Sequence, residues 1–404
     1  MSSDSLLAAT DEAYRTLDHI LTSTILCIAV SGGDSKSESL RWWDEATRGA
    51  IDLGLGREDE PCRASESFCS APFCPCKYRY SHEDLPLAFL EVKEERRRVF
   101  WLLYCLDRHL SLSHNRPLRI LDSSCQVYVP LDDEIWERLD EFPSCAISGR
   151  TTQLPTTITG ATFFTFFLPL MVILGNIIHD HHTKQHPYLG ITYGSQGIAI
   201  IEDMITTCET SVLELATEVE VHEVSLRPWN LASHKLRLVI AYSKHILHVF
   251  HVLLHGKWDA LSMLDDEDGW ISTLAFSKCA SHAVAASDAV MKILELDPEL
   301  TFIPYLFGIY LLQGSFILLL FADRMPQLGT NESVEQACEV IIRAHEVSIV
   351  TLSTEFQRNF RRVLRSTLYS VRGISFEEWE ERKIARRSIL SLYRWTNGAR
   401  GLCI

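Results

Sequence analysis

Apolar residues recur at helical spacing along nearly the whole chain, and residues 94–118 show the pattern most fully. Val99, Leu102, Leu103, Leu106 and Leu110 stand at i, i+3, i+4, i+7 and i+11, one stripe on an α-helix. A charged cluster, Glu94-Glu95-Arg96-Arg97-Arg98, feeds that stripe. Asn115-Arg116-Pro117-Leu118 closes it, because a proline cannot continue the helix. In this reading Arg96, Arg97 and Arg98 set the start of a core helix that also carries Trp101. Asp107 and Arg108 pair within it or with the next element. Arg116, fixed by Pro117, anchors the loop beyond.

The same period predicts helices near 6–28, 38–53, 161–179, 195–221, 231–255, 270–295, 302–322, 331–353, 356–372 and 376–394. Gly54 and Gly56 end the second of these, Asp297-Pro298 separates two later ones, and residues 326–329 another two. Residues 58–86 read as a linker rich in Cys, Ser, Pro and charge, 121–139 as irregular, and 141–160 as a polar connector. Period-2 alternation bounded by tight turns is hard to find, so the expected fold is all-α, a large multi-helix bundle.

Two apolar segments have near-membrane character. Residues 163–178 are too short and hold Pro169 and Gly175; residues 301–322 are long enough. The second has no aromatic belts and runs straight into Asp323 and Arg324, so it reads as the centre of a helical domain. Residues 1–11 are polar with no basic stretch, so no signal peptide is expected. The twelve cysteines therefore read as reduced thiols of the cytosol or nucleus. A formal charge of −15 gives no general attraction to a phosphate backbone. The local basic stretches, at 96–98, 358–365 and 382–387, read as solvated helix faces paired with nearby Glu.

Candidate chemistry is sparse. Cys62, Cys69, Cys74 and Cys76 lack the C-x-x-C pairs of a zinc site. They read as free thiols on a linker, or as an adventitious or redox-sensitive site. His245, His248, His251 and His255 share about 120° of one helix, as interface or core histidines or as a ligand or pH-sensitive set. No carboxylate stands at neighbouring turns to complete a ligand set. His179, His181, His182 and His186 suit a helix C-terminus. Tyr193-Gly194-Ser195-Gln196-Gly197, Gly54-Leu55-Gly56, His222-Glu223 and His345-Glu346 each lack part of the enzyme motif they approach. No catalytic residue and no cofactor are expected. The runner-up reading is a helical metal-dependent enzyme built on the histidine stripe.

Several long stretches carry a resemblance. Leu40-Arg41-Trp42-Trp43-Asp44-Glu45-Ala46, residues 94–110, Asn115-Arg116-Pro117-Leu118, Gly256-Lys257-Trp258-Asp259, residues 307–316, Arg343-Ala344-His345-Glu346, residues 354–361 and Leu392-Tyr393-Arg394-Trp395-Thr396 resemble the regulatory regions of fungal zinc-cluster transcription factors, the xylanolytic activators in particular. The match covers most of 37–400 and is weakest at 58–86 and 141–190. The resemblance implies residues 1–140 as part of the fungal regulatory domain and 155–404 as a C-terminal helical regulatory region packed on it. It also implies a nuclear factor controlling RNA polymerase II transcription, often of polysaccharide-degradation and sugar-catabolism genes. Members carry a zinc cluster ahead of this domain. The expectation here is a regulator without its own DNA reader, working through other transcription factors, a full-length paralogue or a small-molecule inducer. Neither DNA nor membrane contact is expected of this chain.

Overall fold

Helix ends in this protein are set by its turn residues. The computed structural model describes residues 3–31, 36–58, 87–142, 149–184, 195–225, 231–328, 332–351, 355–372 and 376–391. The chain divides into two compact units. The first comprises Met1–Ser31, Ser37–Asp107 and Arg119–Pro155; the second comprises Gly32–Lys36, Arg108–Leu118 and Thr156–Ile404.

The first unit holds α1 (Ser3–Val30), α2 (Lys36–Asp52), α3 (Leu87–His114) up to Asp107, and α4 (Asp133–Glu137). On α2, Ser39 Oγ donates to the Cys27 carbonyl of α1 at 2.9 Å. Gly49 lets the two helices approach: a Cβ there would lie 3.0 Å from Ile20 Cγ1. As the glycines predict, α2 stops at Gly54, whose φ is +62°. The Gly54 and Leu55 amides then return to the carbonyls of Ile51 and Ala50 at 2.9 and 3.0 Å. That double bond pattern satisfies carbonyls that the helix end would leave unpaired. Residues 121–139 carry a single 3₁₀ turn, Asp122–Ser124, and α4, which Asp132 caps by accepting the Glu134 amide. Ile135 and Trp136 of α4 pack on buried Leu90, Leu131 and Leu139.

The second unit holds α5 (Phe163–Lys184), α6 (Ser195–Ser225), α7 (Leu231–His255), α8 (Ala260–Asp265), α9 (Leu274–Leu296), α10 (Pro304–Leu328), α11 (Glu332–Thr351), α12 (Glu355–Val371) and α13 (Phe376–Ser391). Pro169 sits inside α5, where its missing N–H strands the Thr165 carbonyl. The Thr159 amide takes that carbonyl at 3.3 Å, so the helix continues without an unpaired acceptor. Ahead of the segment expected to start at 270 stands α8, capped by Asp259, which the periodicity does not predict; a 3₁₀ turn follows at Trp270–Ser272, and Thr273 caps α9. The left-handed φ of Gly269 breaks the path between them. The α10 helix runs through Pro326 to Leu328, past the break expected there, because a proline in a last turn costs only one bond.

Helix α10 packs against α7, α8, α9, α11 and α12, and α7 against α5, α6, α9 and α10. A helix enclosed on all sides must be apolar all round, which explains residues 301–322. Among the described residues, three helical segments reach membrane-spanning character by length and composition, at Phe163–Lys184, Ala232–His255 and Pro304–Phe321. Two thirds or more of each is buried against the rest of the protein. Among the described residues the only β-type pairing is a lone bridge between Arg57 and Gln126.

Candidate functional site

The charged cluster of the sequence sits inside the first unit. On α3, Glu94, Arg97, Arg98 and Trp101 follow at i, i+3, i+4 and i+7, so one face carries them all. Glu94, fully buried, accepts from Arg97 Nη1 at 3.2 Å, from Arg150 Nη2 at 3.0 Å and from the Leu131 amide at 2.6 Å. Arg97 binds both oxygens of Glu58 at 2.7 and 2.9 Å. Arg98 donates to Asp133 Oδ1 and to the Leu131 carbonyl, both at 2.8 Å. Three carboxylates thus face three guanidiniums, which offsets the desolvation each would otherwise suffer. Burial pushes the Glu58 carboxyl up, yet the Arg97 bonds and charge hold it below the usual carboxylate range. Burial draws Arg150 below its ordinary value against the pull of Glu94.

Around this network α3 acts as a template for the chain that follows. Trp101 Nε1 donates to the Tyr128 carbonyl at 2.8 Å, and Tyr104 Oη donates to Asp122 Oδ1 at 2.7 Å. Asp107 Oδ2 accepts the Arg119 and Ile120 amides at 3.0 Å each. Arg96 Nη2 donates to the Leu53 carbonyl at 3.0 Å. These bonds to backbone groups and to Asp122 shape residues 119–134 and the end of α2.

Arg108, Asn115, Arg116 and Pro117 belong to the second unit. Arg108 is fully buried beside Gly175 of α5, where a Cβ would lie 3.2 Å from its Nε. Asn115 takes a φ of +47°. Its amide and that of Arg116 return to the carbonyls of Leu112 and Ser111 at 3.4 and 3.0 Å, ending α3 as Gly54 ends α2. Ser111 Oγ donates to the Pro117 carbonyl at 3.4 Å, fixing the turn.

The four-histidine stripe divides. His245 turns into the core, its Nδ1 2.9 Å from the Ala286 carbonyl, and burial pushes its pKa down to about 4. His248, His251 and His255 instead face α6 and α9. His248 Nδ1 lies 3.1 Å from His282 Nδ1. The His251 ring stacks on that of His282 with centroids 3.8 Å apart. His251 Nε2 reaches Glu209 at 3.5 Å, and His255 Nε2 reaches Glu202 at 3.1 Å. Burial, with the neighbouring His251 and His248, pushes His282 down to about 4. The His251 hydrogen bond holds Glu209 below the carboxylate range. Sequence spacing alone misses His282, Glu202 and Glu209, because two other helices supply them.

As metal ligands the histidines fail. Among the described residues no group of three or more His, Cys, Asp or Glu side chains is placed to hold a metal ion. His245 points away from His248 and His251, so the stripe does not converge. Cys62, Cys69, Cys74 and Cys76 lie outside the described residues.

Comparison with known proteins places the chain in a family. Residues 11–208 match the fungal specific transcription factor domain. The chain is 39% identical over 442 residues to the xylanolytic transcriptional activator xlnR of Emericella nidulans, covering 98% of this chain and 48% of that one. It is 37% identical over 444 residues to xlnR of Aspergillus niger, covering 98% and 47%. Against xlnR of Aspergillus clavatus it is 36% identical over 455 residues, covering 98% and 45%. The chain spans about half the length of the curated relatives it matches. No solved structure matches. With an all-helical fold, a domain match over its first half and kinship along nearly all its length, the chain belongs to the family of fungal transcription factors that carry this domain.

Proposed function

We propose that this chain is the regulatory portion of a xylanolytic-activator-like transcription factor that acts in the nucleus on RNA polymerase II transcription. The observation that carries the reading is kinship with the activators over 98% of the chain. The geometry supports it in one further way: the densest charge in the sequence is spent on internal bonds, as a scaffold for protein contacts requires. The metal-dependent enzyme reading has no convergent ligand set among the described residues to support it. By likeness to relatives named xylanolytic, the regulated genes are those of polysaccharide breakdown. The chain works through partner proteins, including other transcription factors or a full-length paralogue. A test fuses the chain to an unrelated DNA-binding domain in a fungal host that carries one reporter. Reporter output that changes, and changes further on xylan, supports the reading. Output equal to that of the DNA-binding domain alone on every carbon source overturns it.

A further inference from the structure

We propose that the outer face of α6 is a docking surface for a basic amphipathic helix of a partner protein. The helix has an unusual sequence: seven Asp and Glu in 31 residues, with no Lys or Arg. Its inner face, Ile201, Ile205, Cys208, Val212, Leu215 and Val219, is buried. The spacing of four, three, four, three and four is that of a helix packed on its neighbours, here α5 and α7. On the outside, Thr206, Thr210, Leu213, Thr217 and Val221 fall at i, i+4, i+7, i+11 and i+15, a second stripe facing solvent. Leu213 is 61% exposed and Val221 66%, and Ile200 beside the stripe is 64% exposed.

The threonines make this stripe less polar than its composition. Thr206 donates its hydroxyl to the Glu202 carbonyl at 2.8 Å, Thr210 to the Thr206 carbonyl at 2.9 Å and Thr217 to the Glu214 carbonyl at 2.7 Å. Each hydroxyl is turned back onto its own helix, which leaves the methyl group outward. The result is a ridge of methyl groups about 22 Å long at the helical rise.

Charge selects the occupant. Among the described residues the ion pairs of α6 are those of Glu202 and Glu209, on its inner flank. Asp203, Glu214, Glu218 and Glu220 are exposed along both sides of the stripe. A second copy would set acidic rim against acidic rim, which is repulsive. A partner helix with an apolar ridge flanked by Lys or Arg meets both features at once, burying methyls and pairing rims. The proposal rests on the regulatory reading only for what the partner does. Binding is read on α6 itself and the reporter on the whole chain, so one can fail while the other stands.

The experiment titrates the full chain against a fluorescent helical peptide of about eighteen residues, Leu along one stripe and Lys on both flanks. Saturable binding is expected. The double substitution Leu213→Glu, Val221→Glu adds two negative charges yet is expected to weaken binding at least about fivefold, because the apolar ridge is lost. Simple attraction between a basic peptide and an acidic protein predicts the opposite. Glu214→Gln with Glu218→Gln is expected to weaken binding and flatten its salt dependence, while Ile51→Glu on α2 leaves it unchanged. All these positions are exposed, and melting curves confirm that each variant folds. Unchanged or tighter binding by the double Glu variant, no saturable binding by the parent chain, or self-association abolished by the same two changes overturns the proposal.

Discussion

Glu94 shows how one buried carboxylate holds several groups in place. It is buried with three arginines, Arg97, Arg98 and Arg150, and a backbone amide around it. Glu94→Gln keeps the shape and removes the charge, which leaves Arg97 and Arg150 short of a counter-ion in a dry site. We expect a loss of about 3–5 kcal/mol in urea unfolding. Lys292→Ala breaks the exposed pair with Glu295 and is expected to cost under about 0.5 kcal/mol in the same assay. Equal losses would show that burial of the network does not set its worth. Asn115 gives a second test. Its φ of +47° lies where a Cβ crowds the following carbonyl. Asn115→Gly should stay within about 0.5 kcal/mol of the parent, whereas Asn115→Val should lose about 1–2 kcal/mol with an unchanged denaturant slope.

Among elements, the layer of α6, α7 and α9 contributes to the pH response, alongside His181, His245 and His345, which burial also pushes down. From α7 it receives Lys244, His248, His251 and His255, from α9 Lys278, His282 and Asp288, and from α6 Glu202 and Glu209. Burial pushes His248, His255 and His282 below the ordinary imidazole value, His282 to about 4. Their contribution to stability is therefore full above about pH 6.5, the unfolded value. It is lost as pH falls towards about 4, since the unfolded chain takes up protons that the fold refuses. Glu202 and Glu209 are shifted down and lose their contribution only at still lower pH. Melting temperature should drop by more than about 5 °C between about pH 7.5 and pH 5, and His282→Gln should shrink that drop. A flat profile would mean that these imidazoles stay solvated.

The same layer marks how far the sequence could be read. The span of α7, from 231 to 255, matches its apolar period, and Gly54 and the Asn115-Arg116-Pro117 stop end α2 and α3 through local bonds. What faces a given histidine was not legible: His248 meets His282 from 34 residues away, and the expected partner position on its own helix is empty of carboxylates. The Thr273 cap that shortens α9 was missed because the apolar period runs across Trp270 and Ile271.

For the whole molecule, net charge decides what it meets unaided. At −15 it has no general attraction to a phosphate backbone, and Arg97, Arg98, Arg386 and Arg387 are engaged internally with carboxylates. The purified chain is expected to leave promoter duplex unshifted at about 150 mM salt, in a gel or by anisotropy. A sequence-selective shift at nanomolar concentration would refute this. Sequence by itself determined most of the long helices, the stops at Gly54 and at Asn115-Arg116-Pro117, and the lack of strand patterning, because each depends on residues three to five positions apart. Tertiary structure alone decided which charges are buried, which imidazoles meet and which helix face is left to solvent. Those outcomes depend on segments tens of residues apart, such as Glu94 with Arg150, for which the chain carries no local signal.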